Sequence, residues 1–547
     1  MSRKPACRLL RISGVAILAA VLVGGRSRPE TLYKATELGS GNISFSHPSG
    51  FYEEPFYLKI KAPSKEVYYT LDGSEPTRDS LRYEGPIYIG DATENENVLS
   101  LGEDISTESV TYPKEKVDKC TVIKAVYYDA AGNKSETICA SYFVGFQHKT
   151  GYGTTKVVSL VTDPENLTDY DTGIFVRGRT YDELKEGWGD QAPGNYSNKG
   201  REWEREAIFQ YFGTDGKLLY ETDCGIRIMG GWHRKAVIKS FNLYAREEYG
   251  GSNEFDYDFW GTGYDPHKIT LHSGSNDYYG KVQNMLISDL TRGLSYGTMH
   301  YELCLVFLNG EYWGIYNLTE KYDKTYISDT YHVKKRDVLS VKAGKLENGE
   351  EENFGLYEDA EAFVENADMT QEENYRRFQE LFDEQSLLDL YAVEIYCGRN
   401  YDWPNGNIHL WRTVTEGGPG YADGKWRYLL YDMDSSGLTR GQLTLDTVQT
   451  VMDDSGFFRS LCRNETFRKK LGADILRIGR EYLTGEKVSA YIDEYEAWLT
   501  EPMKTYFQRF FNSNETKFHE RLQSNRDFFN GRLEIMEKIL AEHDMLP

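Results

Sequence analysis

Residues 425–437 read Lys-Trp-Arg-Tyr-Leu-Leu-Tyr-Asp-Met-Asp-Ser-Ser-Gly, an apolar strand driven straight into two carboxylates, Asp432 and Asp434. Side chains at i and i+2 of a strand share a face. At a strand end the two acids can therefore hold Mg²⁺, which takes oxygen ligands and usually keeps several waters. The same D-x-D-S-S-G string also suits an Asx-type turn with no metal. Upstream, residues 400–407, Asn-Tyr-Asp-Trp-Pro-Asn-Gly-Asn, end a long helical pattern in a Pro/Gly turn and enter a strand over 408–412. Asp402 and Asn407 stand at the D-x4-N spacing of a phosphotransferase loop, whose Asp orients the attacking hydroxyl and whose Asn reaches a magnesium ion. Alone, that spacing is common. Its weight comes from the acidic strand end that follows.

Around these motifs the chain is large and acidic. Its 547 residues allow about three domains. Hydrophobic residues at 39% and aromatics at 14% are too many for a disordered chain. A mean hydropathy of −0.60 excludes a polytopic membrane protein. Lys+Arg 63 against Asp+Glu 86 gives a net charge of −23, and no basic block offsets it, which argues against nucleic acid as a partner. The 42 tyrosines suit strands and binding surfaces, but tyrosine is also a good core residue.

Residues 1–30 read as a signal peptide or N-terminal anchor. Arg3, Lys4, Arg8 and Arg11 precede the apolar run ISGVAILAAVLVGG, too short for a comfortable membrane span, and no cysteine follows it for lipid attachment. Export is the expectation, with membrane contact only through this segment. Six further cysteines permit disulfides in an exported chain. The best-placed pair, Cys120 and Cys139, flanks a hairpin whose turn is AAGN. Pairing Asp129 with Lys134 across that turn sets Cys139 opposite Lys124, which disfavours a bridge. Without a CxxC or Cys/His cluster, structural zinc is not expected.

The expected organisation has three parts. Residues 40–147 alternate with period 2 in YLKIKAP, VYYTLDG, PIYIGD and TVIKAVYYD, an all-β pattern. Residues 154–440 mix strand-like pieces (GIRIMGG, SFNLYAR, HYELCLVFLNG) with helical spans over 282–294 and 380–396. From 441 onward, through 547, the pattern is helical. Leu522, Phe529, Leu533, Met536 and Leu540 form one helix stripe, ordinary core packing.

Two resemblances add to this reading. The segment TLDGSEPT at residues 70–77, followed by YEGP at 83–86, resembles the chitobiase/β-hexosaminidase C-terminal domain, an Ig-like sandwich. The domain is then either a spacer or a contact for cell-wall glycan. The ordered set GIRIMGGWHRKAVIKSFNLYAREEYG, FLNGEYWGIYNLTEKYD, RNYDWPNGNIHLWR and KWRYLLYDMDSSG resembles the spore coat protein H (CotH) kinase family over about residues 155–540. That resemblance implies an α+β, atypical protein-kinase-like domain with a helical C-terminal part, using ATP and Mg²⁺ to phosphorylate Ser, or Thr, of surface or coat proteins. By motif position Asp402 is the catalytic Asp, Asn407 a metal-side Asn, and Asp432 the metal-binding Asp, with Asp434 a sharer of that role.

The phosphate side is less decided. Arg227 and Lys239, on the paired strands GIRIMGG and KSFNLYAR, are candidate phosphate cations. Glu320 is the candidate partner of Lys239, as in the Lys–Glu pair of ordinary kinases. Lys342, in VLSVKAG, competes with Lys239. His233, His272 and Gln283 depart from what relatives commonly carry (Arg at the last two), and Gly406 replaces an Asn. Fewer fixed cations toward phosphate would weaken ATP binding. No GxSxG, HExxH or Walker A string is present, and no enclosing glycosidase barrel is evident. The rival reading is a non-catalytic surface protein that binds carbohydrate or protein.

Overall fold

The computed structural model describes residues 43–149, 151–438 and 441–547. The signal or anchor expected over 1–30 lies outside the described residues. Among those described, no helix is long and apolar enough to cross a membrane.

The first unit is a five-stranded sheet in the order β1 (Gly50–Tyr52), β5 (Ile138–Val144), β4 (Thr121–Tyr128), β2 (Glu66–Thr70) and β3 (Leu81–Arg82). Two short strand pairs pack over it, burying Leu58 and Ile89 against Ile123, Ala140 and Tyr142. The DGSEP turn is closed by Asp72, whose carboxylate accepts the Ser74 N–H at 3.0 Å. Asp129 likewise accepts the N–H groups of Ala131 and Asn133 in the AAGN hairpin. That hairpin sets Cys139 opposite Lys124, and the described cysteines are all free.

Aromatic rings join this unit to the next. Phe143 meets Phe212 and Phe307 with ring centroids 5.3 and 5.0 Å apart, edge to face, a geometry that adds to the area buried.

The next unit is a closed barrel of seven strands. They are β6 (Lys156–Val161), β7 (Arg205–Phe212), β8 (Leu218–Met229), β9 (Ser240–Ala245), β10 (Lys268–His272), β11 (Tyr301–Leu308) and β12 (Glu311–Glu320). Their spatial order is β6-β7-β8-β9-β10-β12-β11, closed by a parallel pairing of β6 with β11. Strand alternation fills the interior with Ile226, Ile228, Phe241, Leu243, Ile269 and Leu271. The alternate residues, Arg227, Asn242, Thr270 and His272, therefore face outward, Arg227 toward Glu204 and His272 toward Asp432 and Asp434.

That second half holds an antiparallel sheet in the order β14 (Lys345–Asn348), β13 (Val338–Lys342), β15 (His409–Thr413) and β16 (Arg427–Leu429). Behind it lie helices, including α2 (Glu384–Tyr396), buried at every position from Ser386 onward. The helical pattern expected over 380–396 is interrupted at Phe382 and Asp383, where Asp383 caps α2 by accepting the Ser386 N–H. The span expected over 282–294 is the shorter α1 (Gln283–Leu290). From 441 onward the chain is helical, ending in α3 (Glu465–Arg477), α4 (Gly485–Phe511) and α5 (Thr516–Glu542). The fold class is α+β, with a β-rich N-terminal part and a helix-rich C-terminal part.

One polar side chain ties the last helix to the centre. Arg532 of α5 is fully buried and donates to the carbonyls of Ile395, Tyr396, Leu443 and Leu445 and to the Thr447 hydroxyl, at 2.6–3.1 Å. It thereby satisfies the end of α2, whose last carbonyls have no partner within the helix.

Candidate functional site

Three loops converge where the barrel meets the four-stranded sheet. The first leaves α2 through Gly398 (φ +84°) and carries Asp402 and Asn407. Its organiser is Asn400, which is wholly buried. The Asn400 N–H donates to Glu394 at 2.8 Å, and its Oδ1 accepts from Asp402 N–H (3.0 Å) and Asn407 Nδ2 (3.1 Å). Its own Nδ2 donates to the Asp432 carbonyl. Trp403, buried against Tyr391, anchors the loop, while Asp402 stays exposed.

The second loop follows β16. Asp432 adopts a left-handed backbone (φ 65°, ψ 45°), a conformation that a residue other than glycine holds at a cost. Met433–Ser435 then form one 3₁₀ turn. The two acids thus converge through a turn; the expected strand alternation does not carry them, because β16 ends at Leu429. Ser435 accepts the Tyr401 N–H at 2.9 Å, and Gly437 donates to the Gly398 and Arg399 carbonyls at 3.1 Å, lacing this loop to the first.

The third loop follows β10. Asn276 donates to Asp434 at 3.1 Å and bonds His233 at 3.0 Å. His272, at the end of β10, completes a cluster with Asp432 and Asp434 in which one ligand atom from each lies within 4.8 Å of the others. Asn407 Nδ2 donates to Asp432 Oδ2 at 2.8 Å.

The electrostatics are those of charges crowded out of water. Burial raises the Asp432 carboxyl, the Asp434 charge raises it further, and His272 and Lys342 oppose. Burial likewise pushes Asp434 up to about 6 and the His272 imidazole down. A divalent cation would relieve this repulsion. The donor set fits one: two carboxylates with the Asn407 amide alongside suit Mg²⁺, and the imidazole adds a nitrogen that Mn²⁺ accepts more readily. Asn407 now offers its amide nitrogen to Asp432, and a half-turn of the amide presents its oxygen instead.

With this geometry in view, the family comparison is decisive. A family model described as CotH kinase protein matches residues 226–536, more than half of the chain. The chain belongs to the CotH kinase family. A second model, described as Fn3 associated, matches residues 56–142, the β-rich N-terminal unit likened above to the chitobiase C-terminal domain. No curated protein matches the chain.

Within the CotH kinase domain, the cations fall differently from expectation. Lys239 does not face the cleft. It shares the inward parity of Phe241 and Leu243, and its fully buried Nζ donates to the Ile105 and Ala236 carbonyls, both at 2.7 Å. Its ammonium lies over the Tyr196 ring, and burial drives its pKa well down. The expected Lys239–Glu320 pair does not form either. Glu320 lies in the row of Leu243 and Ile269, four residues or roughly 13 Å along β9 from Lys239. It instead accepts from His300 N–H (2.8 Å) and bonds the His300 ring (3.0 Å).

Arg227 does face outward, in register with Asn242 and Thr270, but its guanidinium pairs with buried Glu204 at 3.1 Å and stacks on Tyr244. Of the competing lysines it is Lys342 that reaches the cluster. Its ammonium lies 3.7 Å from the Tyr431 ring centroid, its charge is felt by Asp432, and burial lowers its pKa. A further cation is Lys281, buried, bonded to the Ser273 carbonyl and near Asp277 and Asp434; burial pushes it down to about 7. Residue reading missed Lys281, Asn400, Asn276 and the constructive role of His272. The alternation in Ile269-Thr-Leu-His272 was the available signal, since it puts His272 on the outward face with Thr270.

Proposed function

We propose that this CotH kinase domain transfers the γ-phosphate of ATP to Ser, or Thr, of a protein acceptor, with Mg²⁺ held at Asp432 and Asp434. One observation carries the reading: the exposed Asp402 and the Asp432–Asp434–His272 cluster are bound together through a single buried residue, Asn400. Phosphoryl transfer asks little covalent chemistry of a protein; it asks for alignment and for neutralised phosphate charge. Bound Mg²⁺ would supply that neutralisation. Asp402 orients the acceptor hydroxyl and takes its proton. Asn407 fixes the rotamer of Asp432, and Lys342 contributes the positive charge on the sheet side.

The test is transfer of labelled γ-phosphate to a Ser-containing protein, with autophosphorylation as a second readout. Asp402→Ala should lose ~10²–10⁴-fold in rate and keep its affinity for nucleotide with Mg²⁺. Asp432→Ala should lose metal-dependent nucleotide binding. Wild-type transfer by folded Asp402→Ala would defeat the assignment.

We further propose that the protein acts outside the cytoplasm, on surface or coat proteins, consistent with the basic and apolar run over residues 1–30. For the N-terminal unit, glycan contact has one supporting observation: Tyr57 and Tyr88, about 60% exposed, stand as an adjacent pair with centroids 5.7 Å apart. Retention on peptidoglycan that survives Tyr57→Ala would refute that use of the pair.

A further inference from the structure

On the side of the Asp402 loop away from the acidic cluster, a cavity of about 180 Å³ opens between the four-stranded sheet and the helices. Pockets for drug-sized molecules start at roughly 300 Å³, so this one suits a single side chain. Pro404 and Asn405, two and three residues beyond Asp402, form its near wall. Five rings line it: Tyr357, Phe382, Tyr391, Tyr428 and Phe457. Glu361, Glu365 and Asp454 supply its charge, and no lysine or arginine is among the lining residues.

The charges differ in how they are met. Arg399 pairs with Asp454 at 2.9 Å. Glu361 accepts from the Tyr357 hydroxyl at 2.8 Å, and no lysine or arginine pairs with Glu361 or Glu365 among the described residues. A second observation is independent of the acids. Tyr391 and Tyr428 are each only 1% exposed, both line the cavity, and neither hydroxyl has a hydrogen-bond partner among the described residues. Neither oxygen is itself among the enclosed, unpartnered polar atoms of the core, so both hydroxyls open on the cavity, where they can accept the N–H groups of a side chain that enters from outside.

We propose that this cavity is the subsite for a lysine or arginine side chain of the acceptor polypeptide, close in sequence to the residue that is phosphorylated. The proposal rests on the reading of Asp402 as the group that meets the acceptor hydroxyl. Ring faces attract a cation, carboxylates pair with it, and the tyrosine hydroxyls accept its N–H groups. Phe382 and Leu410 receive the alkyl stem. The two residues from Asp402 to Pro404 span at most ~7 Å, which puts the basic side chain within about three residues of the acceptor serine. An acidic side chain would meet Glu361 and Glu365 and be repelled.

The experiment measures direct binding of short labelled peptides to the full-length protein without nucleotide. Each peptide carries one serine and, within about three residues of it, Arg, Met or Glu. The Arg peptide should bind about tenfold more tightly than the Met peptide, the Glu peptide least. Glu361→Gln should erase the Arg preference and leave Met binding unchanged, and Glu365→Gln should weaken it if Glu361→Gln does not fold. Equal binding of the Arg and Met peptides, binding of neither, or a preference untouched by both variants would overturn the subsite. Because the readout needs no transfer, an Arg preference without phosphorylation would refute the kinase reading and leave the cation subsite standing.

Discussion

Gly437 donates its N–H to the Gly398 carbonyl, and the two backbones touch so closely that a Cβ on Gly437 would sit 2.6 Å from that oxygen. This contact sets the distance between the loop of Asp402 and the loop of Asp432. Neither loop can relax without moving the other, since Asn400 and Ser435 bind them at two more points.

Gly437→Ala should therefore act on chemistry more than on folding. Overpacking of this kind costs ~1–3 kcal/mol. A displacement near 1 Å between reacting groups costs on the order of 10²-fold in rate. Thermal melting and labelled-phosphate transfer, measured together, should show a small fall in Tm beside a large fall in rate. Unchanged transfer would mean that the loops do not need this spacing.

Lys342 and Lys239 should separate cleanly. Lys342→Met should weaken nucleotide binding about tenfold or more, because a charge-assisted contact to phosphate is lost. Lys239→Met should leave nucleotide affinity intact and alter stability by ~1–3 kcal/mol, since two buried carbonyls lose their donor. Calorimetric titration with nucleotide and Mg²⁺ on both variants decides it, and the reverse pattern would restore Lys239 to the site.

The imidazole in the cluster gives a metal prediction. Nitrogen donors suit Mn²⁺ better than Mg²⁺. The wild-type protein should bind nucleotide more tightly with Mn²⁺, and His272→Ala should shrink that advantage. Equal affinity with the two metals in the wild type would show that His272 is not a ligand.

A pH effect on stability is expected far from the site. Burial pushes Glu221 up to about 7 and Asp223 up to about 6 on β8. A carboxyl whose pKa rises on folding holds its proton longer in the folded state. Its contribution is therefore full below the unfolded pKa near 4 and is lost as pH climbs through about 6–7. Tm should fall between pH 5 and pH 8, and Glu221→Gln should flatten that fall. A Tm that rises across this range would contradict the assignment.

Much of the fold could be read from residues alone. GIRIMGG and SFNLYAR alternate with period 2 and do pair, as β8 with β9. What the pattern could not carry was register. Arg227 pairs with Asn242, so Lys239, of opposite parity to Asn242, must turn inward; a shift of one residue would have reversed the two. Only the closed barrel fixes that choice. The acids at 432 and 434 were conspicuous, but their meeting depends on a left-handed backbone at Asp432 that no side-chain pattern announces. Asn400 stayed hidden because its role is to bond three separate stretches of chain at once.

Arg532 has a temporal implication. The carbonyls that end α2, just before the Asp402 loop, are met by a guanidinium 136 and 137 positions later in the chain. During synthesis that loop lacks its final support until residue 532 has emerged. The hydrogen bonds that hold the approach to the Asp402 loop are thus complete only when the last helix has folded into place.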